Sequence, residues 1–438
     1  MKHTPIMRKL FITLAMAAFG AAQAQIGTPV SDSIEMGATY LNDVYYDLNT
    51  GTKTSAATNT WHLAFRTGAQ TDGIRINSAT ATGANEGTVS LYLYPSGVIA
   101  DWASFDTTGW ENWLQYHNSD ESWEVGAFNV SGSGFPDFSW GVYDMSTHVV
   151  KGDSLYLITY MNAGVQAFKK FYVKDKTSGN YTFVFANVDG SDEQTVTIKS
   201  SDYTGKNYMF YNLETKSAAD REPASANWDF ILTRYAALQP TGTYFPSTGI
   251  LSNIGVQAAK GKGRETSELN LSDTAAGAGF SYNMNAIGYD WKHYEIGGMG
   301  VVWHTSDSLA YFIQDRNAAL WKVVFTAFGG SANGKTVFTK EQLTTGLSTR
   351  DANSHLIQTS VYPNPAQSTL NVLVSADAAS DAVLNIVNVR GEVVYTQKIQ
   401  TEAGLINQSL AVDALSNGVY FVQITANGFQ SVQKFVKN

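Results

Sequence analysis

The chain has 438 residues, a net charge of -9 and an isoelectric point near 5.3. That balance speaks against a nucleic-acid partner, because phosphate binding needs a concentrated basic patch and no Lys/Arg cluster is present. The absence of cysteine excludes a disulfide framework, thiolate metal ligands, a cysteine nucleophile and lipidation at a signal cleavage site. Only 15% of residues are charged while 13% are aromatic, the composition of an extracellular all-β protein held together by buried apolar area.

Residues 1–24 read as a signal peptide: a basic start (Lys2, Arg8, Lys9), an apolar run from Leu10 to Phe19, and the cleavage pattern Ala22-Gln23-Ala24. The apolar run is too short to span a bilayer as a helix. Gln25 is then the expected mature N-terminus, and the expected location is secreted or cell-surface.

From residue 25 to residue 346 the pattern is period-two alternation, as in Ser154-Leu155-Tyr156-Leu157-Ile158-Thr159-Tyr160, Tyr181-Thr182-Phe183-Val184-Phe185 and Trp321-Lys322-Val323-Val324-Phe325. Such segments are strand candidates. One short helical piece is expected around Trp110–Tyr116. A degenerate duplication is visible. Tyr46, Leu48 and Thr50 share their spacing with Tyr211, Leu213 and Thr215, and Trp61-His62-Leu63 answers to Trp228-Asp229-Phe230. Thr195–Lys199 is aligned with Thr336–Lys340 on the same basis. The expected architecture is two tandem β-sandwich or curved-sheet units, 25–200 and 201–346, then a linker at 347–357 and a small immunoglobulin-like β-sandwich at 358–438.

Trp228-Asp229-Phe230 through Arg234-Tyr235, with Gly249-Ile250-Leu251-Ser252-Asn253 and Gly255-Val256, resembles the HmuY-type haem-binding proteins of diderm bacteria. Related pieces in the first half are Trp61 to Arg66, Ile74 to Ser78 and Tyr143 to Val150. The resemblance implies a haemophore-like protein for haem and iron acquisition. Its partners would be haem or a haemoprotein and an outer-membrane haem receptor. Axial ligation needs imidazole or thioether donors in an apolar, aromatic cleft. His148 and His117 are the expected iron ligands, with Trp140 and Tyr143 as walls and Met299 as the second-half counterpart of His148. His117-Asn118-Ser119-Asp120 also reads as an exposed turn, and Gly297, Gly298 and Gly300 around Met299 also fit a plain loop.

No nucleophile elbow, zinc-protease motif or phosphate-binding loop is present, so no enzyme is expected. The alternative to haem binding is a cell-surface interaction module for glycan or protein. Trp102, Trp110, Trp113, Trp123 and Trp140 fit either a stacking platform or, more often, a core without disulfides.

After residue 356 short strands alternate with turns such as Arg390-Gly391 and Asn417-Gly418. Val361-Tyr362-Pro363-Asn364-Pro365, the strand Gly418–Val422 and the basic end Val432–Lys437 resemble the C-terminal sorting domain of type IX secretion substrates. That resemblance implies the type IX machinery as a partner and passage across the outer membrane.

Overall fold

The computed structural model describes residues 27–344 and 358–438, apart from 69–70, 81–86, 134, 278, 298–299, 377–379, 402–403 and 427–428. The signal-peptide and linker readings fall outside the described residues. The described residues form an all-β molecule of antiparallel sheets.

The first fifteen strands are β1 (Val30–Glu35), β2 (Asn42–Tyr46), β3 (Lys53–Ala57), β4 (Leu63–Arg66), β5 (Ile74–Ile76), β6 (Val89–Leu93), β7 (Gln115–Tyr116), β8 (Gly141–Asp144), β9 (Val149–Gly152), β10 (Tyr156–Asn162), β11 (Val165–Thr177), β12 (Asn180–Asn187), β13 (Gln194–Ile198), β14 (Tyr208–Asn212) and β15 (Ser217–Ala219). They are followed by β16 (Phe230–Leu238), β17 (Tyr244–Ser252), β18 (Gln257–Lys262), β19 (Lys292–Gly297), β20 (Gly300–Thr305), β21 (Leu309–Gln314), β22 (Leu320–Phe328) and β23 (Lys335–Thr344). The expected helix at Trp110–Tyr116 is instead a single tight turn at Trp110–Asn112, after which Gln115 and Tyr116 pair with β6. Extended backbone wins there because Tyr116 is drawn into the core beside Tyr156.

Two sandwiches result. In one, the sheet β15-β14-β4-β5 faces β13-β12-β11-β10-β6-β7, across a core that includes Phe65, Trp140, Phe171, Phe183 and Tyr211. In the other, β17-β16-β2-β3 faces β1-β23-β22-β21-β18, across Tyr46, Phe230, Trp291, Tyr311, Trp321 and Phe338. Each fully buried ring of this kind contributes on the order of 2–3 kcal/mol. Together they replace the disulfides the chain lacks.

The duplication is physical, but its boundaries differ from the expected division at residue 200. β1 pairs with β23, β2 with β16, and β4 with β14. Residues from β4 to β15 thus form one continuous sandwich inserted into a second, which is assembled from β1–β3 and β16–β23. The strand orders superpose β13 on β1, β14 on β2, β12 on β23 and β4 on β16. Aligning Thr195–Lys199 with Thr336–Lys340 is therefore out of step by one strand. Each repeat gives its first three strands to the other's sandwich.

The pseudosymmetry extends to single hydrogen bonds. The Leu48 N–H donates to Asp229 Oδ2 at 2.7 Å, and the Leu213 N–H donates to His62 Nδ1 at 2.9 Å. The Asp229 N–H donates to Tyr46 O at 2.8 Å, and the His62 N–H to Tyr211 O at 2.9 Å.

At the C-terminus, β24 (Gln358–Tyr362), β25 (Thr369–Ala376) and β28 (Gly404–Ala411) form one sheet. β26 (Ser380–Asn388), β27 (Val393–Thr401), β29 (Gly418–Ala426) and β30 (Phe429–Lys437) form the other. Asn364 clamps the final strand: its Oδ1 accepts from the Val436 N–H at 2.9 Å and its Nδ2 donates to Lys434 O at 3.3 Å. The sequence pattern around Tyr362–Pro365 thus has a structural job at the end of β30.

Candidate functional site

The residues expected to hold haem are not gathered in one place. His148 lies in the exposed β8–β9 turn with φ near 57°, its Nδ1 2.7 Å from Tyr143 Oη. Tyr143 packs against Phe135, and it is the one expected neighbour that His148 keeps. Trp140 is fully buried in the core and donates through Nε1 to Asp72 O at 3.1 Å, so it walls no cleft. His117 follows Tyr116, half-buried and stacked on Tyr244 at 4.1 Å. Burial lowers its pKa.

The ladder separates the two histidines. Tyr116 lies across from Leu91, Ile158 and Lys169, whereas Val149, next to His148, lies across from Thr177. Lys169 and Thr177 are eight residues apart on β11, roughly 25 Å of strand. Bis-histidine ligation needs nitrogens about 4 Å apart across the iron, two bonds of about 2 Å each. The residues present therefore do not fit a haem held by His117 and His148. Met299 lies outside the described residues. His293 and His304 do meet, directly opposite on the β19–β20 hairpin with ring centroids 5.4 Å apart. Among the described residues no cluster of three or more His, Cys, Asp or Glu side chains is arranged to hold a metal ion.

The five tryptophans divide. Trp102, Trp110 and Trp113 pack with Tyr92, Tyr94, Phe168 and Tyr172 on the outer side of the eight-stranded sheet, while Trp140 is core. Trp123 belongs to a different feature, the seam between the sandwiches.

Strand alternation creates that seam. Leu63 and Phe65 point into the first core while Ala64 points out, and Met209 and Tyr211 point in while Tyr208 and Phe210 point out. On the other side Val44, Tyr46, Phe230 and Leu232 point in, and Tyr45 and Ile231 point out. The outward faces of the two four-stranded sheets meet and enclose a cavity of about 80 Å³, room for about six waters. The pseudosymmetry passes through it. Trp61 stands edge-on to Phe210 and Trp228 edge-on to Tyr45, both at 5.1 Å.

Trp123 enters on the loop between β7 and β8. This loop closes on β5 because Gly126 has no side chain: a Cβ there would lie 1.9 Å from Ile74 O. The Arg75 guanidinium sits 5.4 Å from the Trp123 ring and donates to Ser119 O and Ser122 O at 2.8 and 2.7 Å.

Two carboxylates in the cavity wall, Asp43 and Glu222, are well supplied with donors. Arg221 Nη2 meets Asp43 Oδ2 at 2.6 Å, and both side chains are nearly inaccessible. Its guanidinium also covers the Phe210 ring at 5.2 Å. Asp43 Oδ1 accepts from Thr233 Oγ1 at 2.5 Å. Glu222 accepts from the N–H groups of Asn207 and Tyr208 at 3.2 and 2.9 Å. Burial nevertheless pushes its pKa up to about 7, against the opposing pull of those two bonds.

Four donors are left over. Trp61 Nε1, Trp228 Nε1, Arg221 Nε and Arg234 Nε are buried and find no acceptor among the described residues, and all four belong to side chains lining this cavity. A buried N–H without an acceptor costs about 1–3 kcal/mol. Trp61 and Trp228 were readable in the sequence as repeat anchors. Arg234 was readable only as the end of the Trp228 segment and Arg221 not at all, because only tertiary packing brings them to the same wall.

Residues 360–438 match a family model described as a secretion system C-terminal sorting domain. The protein is accordingly exported across the outer membrane by type IX secretion, to the cell surface or the medium. No curated protein matches the chain. Among solved structures, dimeric latent PorU from Porphyromonas gingivalis aligns at 11% identity over 93% of this chain and 34% of that one, with a TM-score of 0.18. Salmonella α2-macroglobulin reacted with methylamine aligns at 8% identity over 93% and 33%, with a TM-score of 0.20. The chain spans about a third of the length of either. Scores at that level carry no argument about fold. None of these comparisons supports the haem-binding resemblance.

Proposed function

We propose that the chain is a non-catalytic exported binding protein that takes the edge of a carbohydrate, a hydroxyl or two and not a whole ring, into the seam between its two sandwiches. The observation that carries this reading is the set of four unpartnered N–H donors around one cavity walled by Trp61, Trp123, Trp228 and Tyr208. Ring faces pack against the C–H faces of a sugar, and sugar oxygens accept from the indole and guanidinium N–H groups. This is the interaction-module alternative, not the haemophore.

Tryptophan fluorescence of the mature protein titrated with a panel of oligosaccharides tests it. A saturable change is expected, weakened about tenfold in Trp61→Phe or Trp228→Phe, which keep a ring and lose the N–H. Saturable binding that both variants leave untouched would place the site elsewhere, and no saturable change with any sugar would sink the proposal. Hemin is the complementary probe. It is expected to give only broad absorbance that does not saturate, and a sharp Soret band lost in His148→Ala would restore the haem reading.

A further inference from the structure

A second concavity adjoins the seam on the far side of Arg234, which lines both. It is a groove of about 570 Å³ between β17 and the β19–β20 hairpin, walled by aromatic side chains that include Tyr40, Phe245, Tyr294 and Trp303. That volume is in the range that holds a small organic ligand. Phe245 and Tyr294 are 63% and 57% exposed, which leaves ring surface open at the rim of the groove.

The charge of the groove runs against that of the molecule. The chain carries -9 overall, yet the lining holds the Arg234 guanidinium and no aspartate or glutamate, while burial pushes its neighbour Lys292 down to about 7. The nearest acids are engaged elsewhere. Asp290 pairs with Lys260 at 2.7 Å and accepts from Tyr311, and Glu295 lies 3.7 Å from His304 Nε2. Lys292 forms part of the floor, 8% exposed, its Nζ donating to Thr248 O and lying 4.3 Å from the Trp291 ring centre. Arg234 lies over the Tyr40 ring at 5.5 Å with its Nε making no hydrogen bond. Among the described residues no carboxylate lies within salt-bridge distance of Arg234 or Lys292.

We propose that this groove binds a carboxylate-bearing sugar, with the carboxylate on Arg234 and the ring faces against Tyr294 and Phe245. A planar guanidinium matches a carboxylate in two-point geometry. The exposed aromatic rims supply the stacking that holds the pyranose. The inference rests on the reading of the chain as a carbohydrate-binding protein but concerns an adjoining subsite that shares Arg234 with the seam, and it names the acidic class of ligand.

The test is calorimetric titration of the mature protein with tetragalacturonate and with its fully methyl-esterified form, and with sialyllactose against lactose. At least one acidic sugar is expected to bind tenfold or more tightly than its neutral counterpart, with the preference shrinking as salt is raised. Arg234→Gln should abolish that preference. Tyr294→Ser, on the exposed hairpin, should weaken binding of the acidic sugar. Equal binding of acidic and neutral sugars, or no binding of either acidic probe, overturns the groove proposal. Neutral-sugar binding that Trp61→Phe weakens would still stand as support for the seam. Acid-selective binding insensitive to both Arg234→Gln and Tyr294→Ser also overturns the groove.

Discussion

Asp229 and His62 occupy equivalent places in the two repeats, each accepting a backbone N–H from the strand that the other repeat supplies. Burial acts on both, with opposite signs. It pushes Asp229 up to about 7, helped by the charges of Asp315 and Asp47 and opposed by the Leu48 hydrogen bond. It pushes His62 down to about 4, with Lys169 adding to the effect. A raised carboxyl pKa gives stability that is full below the ordinary 3.8 and lost as pH rises through about 7. A lowered imidazole pKa gives stability that is full above 6.5 and lost as pH falls toward about 4. Between about pH 4 and pH 6.5 the two slopes therefore oppose one another. Asp229→Asn keeps the acceptor and removes the charge, so its stability gain over wild type is expected to be roughly 2 kcal/mol larger at pH 8 than at pH 5. Denaturant melts at the two pH values read this directly, and equal gains at both would exonerate the carboxylate charge.

At the scale of elements, the loop from β7 to β8 decides whether the seam exists. It carries Trp123, whose Nε1 donates to Ser252 O at 2.7 Å and whose backbone carbonyl accepts from Tyr208 Oη. The loop reaches that position because Gly73 and Gly126 permit backbone contact that a Cβ would block, at 2.6 Å from Glu124 O and 1.9 Å from Ile74 O. Gly126→Ala should push the loop off β5. The expected outcome is a loss of about 2 kcal/mol or more, from strain and lost burial, together with a red shift of tryptophan emission as Trp123 is wetted. A destabilised variant with unshifted emission would mean that the strain is absorbed away from the loop. The glycines were visible in the sequence as loop residues, but their close approach to other backbone was not. A contact between segments dozens of residues apart leaves no local pattern.

For the molecule as a whole, the exchange of β1–β3 between repeats makes one sandwich continuous and the other dependent on both ends of the body. Removing residues 25–57 strips β16 and β23 of partners and removes Ile34, Val44, Tyr46 and Leu48 from the second core. It leaves every strand of the first sandwich in place. The truncated protein is expected to lose the thermal transition of the second sandwich in calorimetry, keep that of the first, and regain the lost one when a peptide of residues 28–60 is added. Loss of both transitions would show that the inserted sandwich depends on the seam. The Arg221–Asp43 pair then supplies the coupling, since breaking a buried pair by removing one partner costs about 3–5 kcal/mol.

Export, the all-β class, the terminal sorting module and the existence of a duplication were decided by local signals: composition, period-two alternation and the spacing of Tyr46, Leu48, Trp61 and their counterparts. These signals survive in one dimension because each strand's burial is written in its own alternate residues. Which repeat receives β1–β3 is a matter of pairing between strands up to about three hundred residues apart, and no local pattern encodes it. Tertiary structure likewise parted His117 from His148, and it brought Arg221, Arg234, Trp61 and Trp228 to one wall. A site between two sheets is defined by their outward residues, and which outward face meets another is settled only when both sandwiches are complete.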